Sequence, residues 1–249
     1  MDVLITGDSH TAALFKGLNS LKADGGWPDG VRLSIRPMGG GHLTREPFFF
    51  DRGDHVEITT PEYRRNFSRL PIPELDGVDT IYGISAPLHS VRIWRHPGWR
   101  KFAPNGRQFL GIPVSSGMIR QVILDDQQYV LQLLAILLRN GKRVFVIEPP
   151  HPFRHHPALR VAPPQLVHHL NLVYRSHIRC ALVEMGVPIV SVPDHCVEDG
   201  FMSDAYAQPD DHHHGNLRYG RLMMEQVLLF LREHSVKWEN AKLPRVSAS

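Results

Sequence analysis

Apolar and polar positions along this chain follow two periods. Short apolar runs of strand length occur at Val3-Leu4-Ile5, residues 78–84, residues 142–147 and residues 187–192. Such runs suit strands buried on both faces of a parallel sheet. Residues 31–36 alternate apolar and polar, which predicts a second strand in the chain, lying at the sheet edge. Between the runs, apolar residues recur three and four apart. Ala13, Leu14, Leu18 and Leu21 predict a helix over 10–22. Ile119, Val122, Ile123, Val130, Leu133, Leu134 and Leu137 form one stripe of a helix over 115–139, stopped by Asn140-Gly141. Further helices are predicted over 165–185 and 217–234. Five strands separated by helical crossovers predict a doubly wound α/β three-layer sandwich. Its flavodoxin-like parallel sheet of five strands would have the order 2-1-3-4-5. One domain is expected over 1–235, followed by a polar tail over 236–249, and no internal repeat is evident.

The stretches that break the pattern lie at the strand ends. Residues 44–75 form a long irregular excursion holding Phe48-Phe49-Phe50, with a hairpin expected around 56–59. A second irregular stretch runs through Trp94, His96 and Trp99 to Pro113. The aromatic residues in both are read as local core, with stacking on sugar rings as the alternative. The first strand ends in Gly7-Asp8-Ser9-His10. Gly7 permits a tight turn, and Asp8, Ser9 and Thr11 can each cap the following helix. Strand, turn and helix start together lift Ser9 onto the carboxyl edge of the sheet, where α/β folds bind ligands. Gly39-Gly40-Gly41 follows the second strand and frees backbone N–H groups. Glu148 and His151 follow the fourth strand at the same edge.

Composition narrows the classes of function. The chain has 249 residues, a net charge of +3 and 42% hydrophobic residues. It shows no Lys/Arg run of the kind that binds nucleic acid. Cys180 and Cys196 are too few for a disulfide framework and are read as free thiols. No apolar stretch is long enough to span a membrane, and no signal peptide is visible, so a cytoplasmic location is expected. Histidine is abundant, at 16 residues. His151, His155 and His156 read as a solvated Pro/His loop. The run Asp211-His212-His213-His214 invites a metal reading, but adjacent residues in one turn rarely converge on one ion. No metal and no cofactor is expected.

A carboxylate three residues before a histidine, at the start of a helix, fits a different role. It can hold one ring nitrogen and leave the other to serve as a base. Asp211 with His214 has this spacing, and so does Asp210 with His213. Spacing alone does not choose between them.

Two of these motifs together resemble the SGNH, or GDSL-type, hydrolases. They are Gly7-Asp8-Ser9 near the start, and Asp211-x-x-His214 followed by Gly215-Asn216-x-x-Tyr219-Gly220 near the end. The resemblance spans the chain and favours Asp211 and His214 over the shifted pair. It implies Ser9 as nucleophile and its N–H as one oxyanion donor. A second donor is implied from the glycine run, either Gly40 or Gly41. It also implies an asparagine in the loop after the third strand, and here the chain departs, because Ser85-Ala86-Pro87-Leu88-His89 has none. Ser85 or His89 are the substitute donors on that loop.

The expected reaction is hydrolysis of an ester by a Ser-His-Asp acyl-enzyme route. The substrate expected from the resemblance is a small-molecule or glycan ester, most simply a small acyl group on a carbohydrate. An O-acyltransferase, or a non-catalytic carbohydrate-binding or assembly protein, is the alternative that the missing asparagine motivates. The sequence leaves the oligomeric state open.

Overall fold

The computed structural model describes residues 1–77, 80–104 and 109–240, with residues 235–240 described through their backbone only. The central sheet contains β1 (Asp2–Gly7), β2 (Arg32–Ile35), β3 (Ile81–Ser85), β4 (Arg143–Ile147) and β5 (Ile189–Val190). All pairings are parallel, and the spatial order is β5-β4-β3-β1-β2. This is the 2-1-3-4-5 order that the pattern predicts. β2 is an edge strand, as its alternation requires: Leu33 and Ile35 are buried and Arg32 is exposed. The start expected for β3 at Val78 and Asp79 lies outside the described residues.

Four long helices cover the sheet: α1 (Thr11–Ala23), α2 (Ser116–Arg139), α3 (Pro164–Glu184) and α4 (Leu217–Asn240). Side chains alternate across each strand, so the core has two halves. Val3, Ile5, Phe145 and Ile147 pack beneath α1 and α4. Leu4, Tyr82, Ile84, Val144 and Val146 pack beneath α2 and α3. Glycine decides two close approaches. A Cβ on Gly220 would lie 1.8 Å from the Ala13 carbonyl oxygen, and one on Gly17 2.1 Å from the Gly220 backbone. Helices α1 and α4 therefore cross backbone to backbone. The Ser115 hydroxyl caps α2 by accepting the Met118 N–H at 3.2 Å.

The excursion over 44–75 folds as a small antiparallel sheet of Phe49–Asp51, Val56–Ile58 and Arg69–Leu70, with the expected hairpin at its centre. Phe48, Phe49 and Trp94 are buried, so the core reading holds for them and they are not available for stacking on a sugar, whereas it fails for Phe50, which alternation along its strand leaves 58% exposed. Val122 departs from the predicted stripe: it is 49% exposed, because it borders a surface cavity rather than the sheet. Among the described residues, no helix is long and apolar enough to cross a membrane.

Candidate active site

The turn after β1 is tied to its neighbours on both sides. The Asp8 N–H donates to the Ser85 carbonyl at 3.0 Å, and the Gly7 carbonyl accepts the Met38 N–H at 2.7 Å. Gly7 has φ +152°, and a Cβ there would lie 2.1 Å from the Ser85 carbonyl oxygen. Glycine is thus required for the chain to pass the end of β3. None of the three candidates caps the helix, whose N-cap position is His10 with no side-chain cap; Asp8 instead braces the turn that precedes it. Its Oδ1 accepts the His10 N–H at 3.0 Å, while its carbonyl accepts the Thr11 hydroxyl at 2.6 Å. The Ser9 hydroxyl is left free for another partner.

That partner comes from the far end of the chain. Ser9 Oγ lies 2.7 Å from His214 Nε2, and His214 Nδ1 lies 2.6 Å from Asp211 Oδ2. The other carboxylate oxygen, Asp211 Oδ1, accepts the N–H groups of His213 at 2.9 Å and His214 at 3.0 Å. Burial pushes the Asp211 carboxyl up, but these two N–H groups and the His214 ring outweigh it and hold the group well below the usual carboxylate range. Asp211 is a fixed anion beside His214. The shifted pair is not assembled. Asp210 is exposed and left-handed at φ +59°, and the His213 ring makes no hydrogen bond to Ser9.

The rest of the end motif is structural. Asn216 Oδ1 accepts the Tyr219 N–H at 3.1 Å and caps α4. The Tyr219 hydroxyl donates to the Glu148 carbonyl at 2.6 Å, pinning α4 to the end of β4. Gly220 permits the α1 crossing described above.

The glycine run separates its two candidates. The Gly40 N–H is spent on Glu62 Oε1 at 2.7 Å, and its carbonyl accepts the Tyr63 hydroxyl at 2.7 Å. The Gly41 carbonyl accepts Arg92 Nη1 at 2.6 Å and the Thr44 hydroxyl at 2.8 Å. No acceptor among the described residues takes the N–H of Gly41 or that of Ser9. A Cβ on Gly41 would sit 2.9 Å from Asp8 Oδ2, so the glycine backs directly onto the turn that carries Ser9. Arg92 is in turn clamped by Asp126, at 3.0 and 2.9 Å.

Ser85, expected on the loop after β3, is the last residue of that strand and meets the turn through its backbone carbonyl, whereas His89 on the loop reaches it through its ring. His89 Nε2 lies 3.1 Å from His10 Nε2, and His89 Nδ1 lies 3.6 Å from Asp8 Oδ2. Burial, reinforced by neighbouring imidazoles and, for His89, by Arg92 and Arg175, pushes both histidines well below their ordinary pKa. His10 also packs on His214, with ring centroids 4.8 Å apart. Sequence reasoning missed His10, Glu62 and Arg92. Only the position of His10 beside Ser9 gave any signal, since the other two act across the fold.

Asp8, His10 and His89 place one potential ligand atom each within 4.8 Å of one another, and so do Asp211, His213 and His214. These are the groups of three among the described residues able to ligate a cation, and the second includes the Asp211–His214 pair in contact with Ser9. At the sheet edge, Glu148 is held by Arg175 and Arg179 and accepts the Val192 N–H at 3.0 Å, so it ties α3 to β5. His151 is not solvated as expected. It is half-buried beside Asn171, and burial with the nearby arginines lowers its pKa to about 2.

No family model matches this sequence, and no curated protein matches it. Solved structures do. A putative acylhydrolase from Bacteroides fragilis aligns over 93% of this chain and 86% of its own, with a TM-score of 0.50 at 12% identity. The acetyl xylan esterase AlAXEase aligns over 93% and 100%, with a TM-score of 0.50 at 13% identity. A GDSL-like lipase from Bacteroides thetaiotaomicron aligns over 94% and 88%, with a TM-score of 0.48 at 12% identity. The chain has the SGNH, or GDSL-type, hydrolase fold.

Proposed function

We propose that this protein is a serine ester hydrolase in which Ser9 is the nucleophile, His214 the general base and Asp211 the group that orients it. The observation carrying this reading is the continuous contact from Ser9 Oγ to His214 Nε2 at 2.7 Å and from His214 Nδ1 to Asp211 Oδ2 at 2.6 Å. Because Asp211 is anionic, it accepts the Nδ1 proton and leaves the Nε2 lone pair facing Ser9. In the first step Ser9 Oγ bonds to the ester carbonyl carbon while its proton passes to His214 Nε2. The tetrahedral intermediate collapses with loss of the alcohol, which takes that proton. In the second step a water molecule attacks the acyl-enzyme, giving its proton to His214, and Ser9 leaves with that proton as the acid is released.

The oxyanion is assigned to the uncommitted N–H groups of Ser9 and Gly41. Gly40 is set aside because Glu62 occupies its donor. His89 takes the place of the asparagine as the side chain that the loop after β3 turns toward Ser9's neighbours, Asp8 and His10. The carbohydrate part of the expected substrate is carried by the resemblance, since Phe48, Phe49 and Trp94 are core and leave, of the rings expected to stack, only Phe50 and Trp99 accessible. The test is hydrolysis of p-nitrophenyl acetate by Ser9→Ala. The reading expects turnover to vanish while the circular dichroism spectrum and thermal midpoint stay unchanged. Unchanged turnover removes Ser9 from the mechanism.

A further inference from the structure

Beside the Ser9–His214–Asp211 contact, the turn after β1 and the loop after β3 bring two imidazoles and a carboxylate together. His10 Nε2 lies 3.1 Å from His89 Nε2, with the two rings at 88° to each other. Asp8 spends Oδ1 on the His10 N–H and leaves Oδ2 3.6 Å from His89 Nδ1, longer than a hydrogen bond. One potential ligand atom from each of the three lies within 4.8 Å of the others. The group is buried: Asp8 and His10 are each 2% exposed, and the His89 side chain 13%.

The two rings leave bonding capacity unspent. A pair of neutral imidazoles carries two N–H groups and two lone pairs. Their mutual contact uses one of each. His10 Nδ1 and His89 Nδ1 are both buried and make no hydrogen bond among the described residues, so an N–H and a lone pair are left over. Buried polar atoms in folded proteins are seldom left in that state. A cation in the gap takes both lone pairs, and the Asp8 carboxylate offsets its charge. The spacing suits one. Bonds of about 2.0–2.1 Å in a tetrahedral zinc site put ligand atoms about 3.3 Å apart, within the 3.1 to 4.8 Å found here. Two imidazoles with one carboxylate are a donor set for zinc, whereas calcium and magnesium take oxygen ligands. The group of Asp211, His213 and His214 is the weaker candidate, because Asp211 and His214 are already bonded to each other and His214 to Ser9.

We propose that Asp8, His10 and His89 form a site for one divalent metal ion of the zinc class, which ties the loop after β3 to the turn that carries Ser9. The site shares no residue with the Ser9, His214 and Asp211 contact, and it stands whether or not Ser9 is a nucleophile. Three protein ligands leave a coordination position for water. The loop after β3 is the one that lacks the expected asparagine, and the ion supplies a link between that loop and the turn.

The test is metal binding, which needs no turnover. Protein freed of metal with EDTA and dialysed is titrated with zinc chloride by calorimetry and with cobalt chloride by visible absorption. The proposal expects one equivalent per chain and a higher thermal midpoint in the loaded protein. Asp8→Asn, His10→Gln and His89→Gln should each weaken binding by at least about tenfold, since loss of even an outer-shell partner costs about that much. Asp211→Asn/His213→Gln, which dismantles the other group, and Cys180→Ser, at an exposed thiol, should bind as the native chain does. Circular dichroism checks that each variant is folded. X-ray absorption of the zinc-loaded native protein reads the ligands without any substitution, and should show imidazole nitrogen and oxygen donors with no sulfur. An absence of binding in both titrations overturns the proposal, as do several weak equivalents spread over surface histidines. So does binding that survives in folded His10→Gln and His89→Gln, or sulfur in the coordination shell.

Discussion

Replacing Asp211 by Asn probes how the base is held. The two oxygens of this carboxylate do different work. Oδ1 accepts the N–H groups of His213 and His214 at 2.9 and 3.0 Å, while Oδ2 faces His214 Nδ1 at 2.6 Å. An amide has only one acceptor atom. Two fixed backbone donors claim its oxygen, so the NH2 group is driven to the His214 side. Nδ1 must then act as acceptor, and the ring proton moves to Nε2, facing Ser9. The imidazole becomes a donor where a base is needed, and the stabilising anion is gone as well. Loss of the correct tautomer in a Ser-His-Asp arrangement costs about 10⁴ in kcat, equivalent to about 5.5 kcal/mol in the barrier. The assay is steady-state hydrolysis of p-nitrophenyl acetate by Asp211→Asn, with Asp210→Asn as control. Asp211→Asn should lose 10³–10⁴ in kcat with KM within a few-fold. Asp210→Asn, at an exposed turn position, should stay within twofold. An Asp211→Asn enzyme that keeps more than a tenth of its kcat, with its fold intact, refutes the reasoning.

Three further outcomes are expected. Gly41→Ala forces a Cβ to within 2.9 Å of Asp8 Oδ2, displacing the Gly41 N–H; kcat should fall by about 10²–10³ with little change in KM. Arg92→Met leaves the buried Asp126 carboxylate without its clamp, which should cost about 3–5 kcal/mol in urea unfolding. Stability should also fall as the pH drops below about 6.5, where the unfolded chain protonates its histidines. His10, His89 and His151 stay neutral in the fold, their pKa values lowered chiefly by burial, so the unfolded state binds more protons below that pH. Their contribution is complete above about 6.5 and is lost downward by roughly 1.4 kcal/mol per pH unit for each histidine. Urea midpoints between pH 7.5 and 5 measure this. Midpoints that rise on acidification contradict it, and His151→Gln should make the slope shallower.

The sheet was legible because its inner strands are buried on both faces and appear as apolar runs, while β2 alternates as an edge strand does. The order of the strands followed from the handedness of the crossovers between them. Ser9 was legible as a position, since strand, glycine and helix start are local features. What stayed hidden depends on contacts across the fold. Spacing could not separate Asp211/His214 from Asp210/His213, because the choice is made by a backbone turn in which Asp210 adopts φ +59°. Nor could it separate Gly40 from Gly41, because Glu62 and Tyr63, more than twenty positions away, occupy Gly40. Val122 carried a helical period yet faces a cavity, since periodicity reports that a face is apolar and not what covers it. The solvated reading of His151 failed for a related reason: the prolines around it marked a loop, but Asn171 and Arg175 on α3 close over that loop.

The central claim is that Ser9 is an activated nucleophile. Reaction with a fluorophosphonate followed by peptide mass spectrometry tests it most directly, since the reagent phosphonylates a serine hydroxyl only where a base takes its proton. The account predicts a single adduct on the peptide containing Ser9, absent in Ser9→Ala and greatly slowed in His214→Ala. A folded protein that leaves Ser9 unmodified, or that labels equally well without His214, would contradict it.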